Sequence, residues 1–150
     1  MLLKPGDWSG RGSLLVEGAS LGRQIECDLR IEQDRGGFTL VGGYRVKGER
    51  SQDLSARIAP NDVGTYTVDA LLGAVAAEGI AKLESVPNLG LLWNENGTVH
   101  AAVALFDVAD GCGFRGFLHE GERTLTWEIA FSRKLRAVKS DNVVALRRRR

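Results

Sequence analysis

The residues able to do chemistry in this chain are few and scattered. His100 and His119 are its histidines, and no H-x-x-x-H or C-x-x-C spacing exists, so the sequence writes no metal cluster. A single imidazole can ligate haem iron. Each histidine, however, alternates with apolar neighbours that take the other face of a strand, which favours a solvent-facing side chain. Cys27 and Cys112 sit in apolar-alternating segments and are expected as buried free thiols; a disulfide requires their strands to be close neighbours. Asp69, Asp107 and Glu128 lie among apolar residues. Burial would raise their pKa toward general acid-base use, whereas on a one-sided strand they face water. No nucleophile elbow and no local Ser-His-Asp pattern is present. The run Gly111-Cys112-Gly113-Phe114-Arg115-Gly116 has the G-x-G-x-x-G spacing of a dinucleotide loop. Such a loop must open a helix whose N-terminus holds the pyrophosphate. Residues 117–129 instead read as strand, turn and strand, so the run is a glycine-bent strand.

The elements that position these residues are strands. Ile25, Cys27, Leu29 and Ile31 alternate with Gln24, Glu26, Asp28, Arg30 and Glu32, giving one dry face and one wet face. Leu125, Trp127, Ile129 and Phe131 repeat the pattern, as do Phe38, Leu40, Tyr44 and Val46. Asp34-Arg35-Gly36-Gly37, Asn96-Gly97, Asp110-Gly111 and Glu120-Gly121 are turn sequences, and Asn-Gly is the strongest short hairpin signal. About ten strands follow, over 7–17, 22–33, 37–47, 52–59, 63–70, 75–84, 88–94, 98–107, 112–119 and 122–133. The Ala- and Leu-rich stretch from Asp69 to Glu84 has some helical character, but Gly73 and Gly79 interrupt it. Many strands joined by tight turns form a meander, and closure removes its two sheet edges. The predicted fold is all-β: a single antiparallel up-and-down β-barrel of about 8–10 strands over residues 1–137, with a basic tail at 138–150.

Composition narrows the function classes. The chain is 43% hydrophobic and 26% charged, in the globular range. Its longest apolar run, Ala70 to Ala77, is far shorter than the ~20 residues of a membrane-crossing helix. The start, Met-Leu-Leu-Lys-Pro-Gly, has no signal-peptide core. A cytoplasmic protein without membrane or nucleic-acid partners is expected. Net charge is +1, and taking away the four positive charges of Arg147 to Arg150 leaves a body of −3. No aromatic residues interleave with that tail as stacking platforms would, so it reads as a solvated terminus. Val99 to Phe106 is apolar at both parities. Its outer face should therefore be covered, by the segment Val143 to Leu146 or by a second subunit, and a homodimer is expected.

Two short elements resemble a known group. Gly6-Asp7-Trp8 opens the first strand with G-x-W, Trp8-Ser9-Gly10-Arg11-Gly12 gives W-x-G-x-G, and Phe131-Ser132-Arg133 ends the last strand on a basic residue. This resembles the calycin superfamily of lipocalins, fatty-acid-binding proteins and nitrobindin-like barrels. The resemblance implies that Trp8 closes one barrel end with Arg133 packed over it. Parity agrees: Arg133 shares the face of Trp127, and Trp8 that of Leu14 and Val16. The lipocalin T-D-Y element is absent, and Gly18 to Leu21 leaves no room for the helical lid of fatty-acid-binding proteins.

The leading expectation is therefore a lipocalin-like binding module holding a small apolar molecule, with no cofactor. Tyr44 lies on a dry face, and Arg115 and His119 supply polar handles if their shared face is inward. An isomerase, cyclase or lyase using Glu128 with Arg115 or Tyr44 is the second reading. Haem binding through His100 or His119 is the third. All three need to know which parity of each strand points inward.

Overall fold

A computed structural model describes residue 2 and residues 4–135. The tail 138–150 and the segment Val143 to Leu146 lie outside the described residues. Ten strands make up the fold: β1 (Gly6–Val16), β2 (Arg23–Asp34), β3 (Gly37–Val46), β4 (Gln52–Pro60), β5 (Tyr66–Leu72), β6 (Val75–Lys82), β7 (Asn88–Trp93), β8 (Val99–Val108), β9 (Gly111–Glu120) and β10 (Arg123–Arg133). Each pairs antiparallel with its neighbour in sequence, and β10 closes on β1. The fold is a single closed up-and-down barrel, with no helix among the described residues. The ambiguous stretch from Asp69 to Glu84 is the hairpin β5–β6, turning at Gly73 with φ +59°.

Hairpin chemistry sets the register. Asn94 binds the β7–β8 loop from within: its carbonyl oxygen accepts from the amides of Thr98 and Val99, and its amide nitrogen donates to the Thr98 hydroxyl. Gly97 turns the chain with φ +63°. Closure needs at least one contact that no other residue permits. A Cβ at Gly12 would sit 1.8 Å from the Glu128 carbonyl oxygen, so β1 can bend this closely onto β10 only as glycine.

Paired residues share a sheet face, so one known face orients the next strand. The dry face of β10 (Leu125, Trp127, Ile129, Phe131) pairs with Leu118, Gly116, Phe114 and Cys112 of β9. That set is inward, together with Trp8 and Leu14, Cys27 and Leu29, and Phe38 and Leu40. Ten strands ~4.8 Å apart and tilted by ~40° give a circumference of roughly 60 Å and a backbone diameter of roughly 20 Å. Leucine and valine side chains projecting from opposite walls do not meet across that width.

Candidate functional site: the barrel interior and its two ends

The two ends of the barrel are built differently. One end carries both strand termini of the closure, Gly6 and Arg133, with the loops after β2, β4, β6 and β8. Its inner side chains are buried: Trp8, Ile31, Phe38, Ile58, Val68, Leu83, Cys112 and Phe131. Asn88 is the buried polar residue here, at 1% exposure. Its amide nitrogen donates to the Leu83 and Ser85 carbonyls, and its oxygen accepts from the Leu2 amide. One side chain thus ties the β6–β7 loop to the N-terminal segment. Trp8 Nε1 donates to the Lys4 carbonyl, and Arg133, the cross-strand partner of Trp8, donates to the Pro5 carbonyl. The guanidinium contact given to Arg133 is therefore with the backbone leading into β1.

Toward the other end the inner wall is less covered. Leu14, Tyr44, Leu54, Leu92, Leu118 and Trp127 face inward yet are only partly buried, although Ile25, Val46, Val99 and Ala101 are buried there. Halfway along the strands the same holds for Leu29, Leu40, Leu105 and Phe114. These inward side chains are the less tightly covered part of the wall. Between the strand ends this wall carries no charged residue among the described residues. Its polar groups are the Tyr44 hydroxyl, the two thiols and the indole N–H groups of Trp127 and Trp8, the last already donating to the Lys4 carbonyl.

Burial raises the Tyr44 phenol above its ordinary pKa, with Glu49 and Cys27 adding to the effect. Cys27, the cross-strand partner of Tyr44, is pushed up to about 11 by burial and then by Asp28. Cys112 is raised by burial and by Asp107. Both thiols are free. One register row joins them through Gly10 and Phe131, so two strands separate theirs and they are not disulfide neighbours. The Trp127 indole lies against Gly116, where a Cβ would come within 2.4 Å of the ring. Phe114 packs on it at 5.6 Å between ring centroids, tilted by 47°. Trp127 Nε1 is buried with no hydrogen-bond partner among the described residues, a state that costs about 1–3 kcal/mol.

Of the ligand-binding candidates singled out from sequence, Tyr44 is on the inner wall, and Arg115, His119 and Glu128 are outside it. Arg115 and His119 share the outward parity of β9, because Phe114 and Gly116 take the inner one. The condition on which they were offered as interior handles is not met. Arg115 pairs with Glu128 of β10 and lies 4.7 Å from the Phe106 ring centroid on the outer surface. His119 Nδ1 is 3.0 Å from the Thr124 hydroxyl, and its cross-strand neighbour is His100, equally exposed. The histidines do meet in register, but outside the barrel, and no group of three metal-ligating side chains exists among the described residues. Asp69 and Glu128 face outward, and Asp107 is exposed at the end of β8. Trp127 was not singled out as a candidate from sequence. Its signal was an indole N–H on an otherwise apolar face, with no evident partner. Also unforeseen is an open groove of about 530 Å³ on the outside of β3–β6, flanked by Arg57, Asp69, Glu78 and Glu95; Arg57 within it is paired with Asp34.

The closed ten-strand antiparallel barrel fits a calycin-like fold in general. No family model and no curated protein matches the chain.

Proposed function

We propose that the protein is a calycin-like binding module that holds a small, largely apolar molecule inside its barrel. The observation carrying this reading is the inner wall of partly buried leucines and aromatics, halfway along the strands and toward the far end. A cavity lined this way gains roughly 25 cal/mol per Å² of apolar surface removed from water. The same wall disfavours an ionised ligand, since a buried charge without a partner is strongly penalised. One or two acceptor atoms on the ligand fit the donors available, the Tyr44 hydroxyl and, after small adjustment, the Trp127 indole N–H. An acid-base enzyme has less support: none of Asp69, Asp107 and Glu128 lies on the inner wall between the strand ends.

The test uses the neutral dye Nile red with native mass spectrometry of the protein as purified. Saturable dye binding is expected, and Ala70→Phe, which projects a ring from the inner wall, should weaken it at least about tenfold. Val41→Phe, on the outer face of β3, should leave it unchanged. Binding that ignores Ala70→Phe, or no saturable binding at all, overturns the reading.

A further inference from the structure

The register places one continuous apolar row on the outside of the barrel. Ile80 of β6 pairs with Leu91, Leu91 with Ala102, and Ala102 with Phe117. Phe117 pairs with Thr126, and Thr126 with Leu15 of β1. Direct cross-strand partners share a face, and exposure identifies it as the outer one: Leu91 is 52% exposed, Phe117 49%, Ile80 44% and Leu15 40%. Leu89 and Ala104 widen the row on one side, and Trp93 on the other. Scattered exposed apolar residues are ordinary, but four adjoining strands, β6 to β9, contributing apolar side chains to one row make a contact surface, which Thr126 of β10 interrupts before Leu15.

The rows on either side indicate what covers it. Two residues to one side lie Lys82, Leu89, Ala104 and Arg115; two residues to the other lie Glu78, Trp93, His100 and His119. At their β6 and β7 positions these edges are complementary to each other. A two-fold axis running along the row sets each position on one edge against its counterpart on the other edge of a second copy. Lys82 then faces Glu78 and Leu89 faces Trp93, each pair occurring twice, as an isologous contact requires. An axis across the same line would instead bring Lys82 toward Arg115, base against base.

We infer that this row is the contact face of a two-fold dimer, with its axis along the line Ile80–Leu91–Ala102–Phe117. The surface serves a second copy of the same chain and is independent of the ligand proposed for the interior.

Sedimentation velocity on the full chain, from about 1 to 100 µM, tests it. Dimer is expected in the upper part of that range, and Leu91→Glu should abolish it with an unchanged far-UV CD spectrum. Glu78→Lys alone and Lys82→Glu alone should each weaken dimerisation at least about tenfold, and the two together should restore it to within about threefold. A wild-type chain that stays monomeric throughout overturns the proposal. So does a dimer indifferent to Leu91→Glu, or a charge swap that fails to restore what the single changes remove.

Discussion

The two ends of this barrel use the same strands for opposite purposes. At the end holding Gly6 and Arg133, large side chains are buried and polar groups are satisfied: Phe38 is 2% exposed, and Asn88 makes hydrogen bonds to the backbone of the β6–β7 loop and of the N-terminal segment. At the other end Leu14, Leu54 and Leu92 face inward and are only partly buried. A barrel of this width is not readily filled along its whole length by leucines and valines, and covering is concentrated where the N-terminal segment and the β6–β7 loop supply extra atoms. One end is thus tightly covered and the other less so. That division predicts unequal responses to equal truncations.

The largest difference should come from Phe38→Ala against Leu54→Ala. Phe38 is fully enclosed, so its removal leaves a void and should cost about 3–5 kcal/mol. Leu54 is only partly buried, and its truncation should cost about 1.5 kcal/mol or less. Urea denaturation of both variants measures this. Equal losses would mean that the far end is as tightly packed as the near one.

Asn88→Ala should follow, at about 3 kcal/mol. The change removes a side chain that satisfies the Leu83 and Ser85 carbonyls and the Leu2 amide, and stranded buried groups lose more than the bond itself. Asn88→Asp keeps the acceptor but not the donors, and should recover only part of the loss. Hydrogen exchange at the Leu2 amide separates the two, because protection there needs only the acceptor. If Asn88→Ala is neutral, the N-terminal segment is not held in place by this residue.

A third contrast uses pH to ask how far water reaches inside. The Cys27 thiol is shifted from 9.0 to about 11 in the folded chain. The unfolded chain therefore loses this proton above pH ~9 while the folded chain keeps it. The stabilisation is level below that pH and is lost as pH rises from about 9 to 11, by roughly 2 kcal/mol. Cys112 acts in the same direction. Cys27→Ala should flatten the alkaline arm of the stability curve. Rapid reaction of both thiols with a disulfide reagent at pH 8 would show that the interior is wetter than their burial implies.

Much of the fold was legible in the sequence because alternation and turn chemistry are local. The dry face Ile25-Cys27-Leu29-Ile31 and the Asn96-Gly97 turn each announce themselves within a few residues. All ten strands lie where that pattern places them, to within a few residues at their ends. The site was much less legible. In β9 the odd positions hold Arg115, Phe117 and His119, and the even ones Cys112, Phe114 and Leu118. Both sets contain a phenylalanine, so periodicity alone leaves the inward face open. What decides it is non-local: β10 has an unambiguous dry face, and the tight Gly121 turn fixes which β9 residues stand beside it. Carrying parity through that hairpin points Arg115 and His119 outward. The contrast between the ends was invisible for a related reason, since it depends on where the register brings the chain termini together.

The smallest expected effect compares two arginines, one at the covered end and one on the outer wall. Arg133 is exposed, but it donates to the Pro5 carbonyl and lies beside Gly6, at the entry to β1. Arg133→Ala frees that carbonyl and loosens the segment joined to Asn88 and Trp8, so about 1 kcal/mol is expected. Arg115 has an equally regular partnership with Glu128 and a ring contact with Phe106. Both side chains of that ion pair are more than half exposed, where water and salt screen the attraction. Arg115→Ala should therefore cost about 0.5 kcal/mol or less. The distinguishing readout is local: Arg133→Ala should speed proteolytic cutting within residues 2–5, and Arg115→Ala should not. If Arg115→Ala proves the more damaging of the two, the outer wall near β9 supports the barrel more than the covered end does, and the division between the ends is drawn in the wrong place.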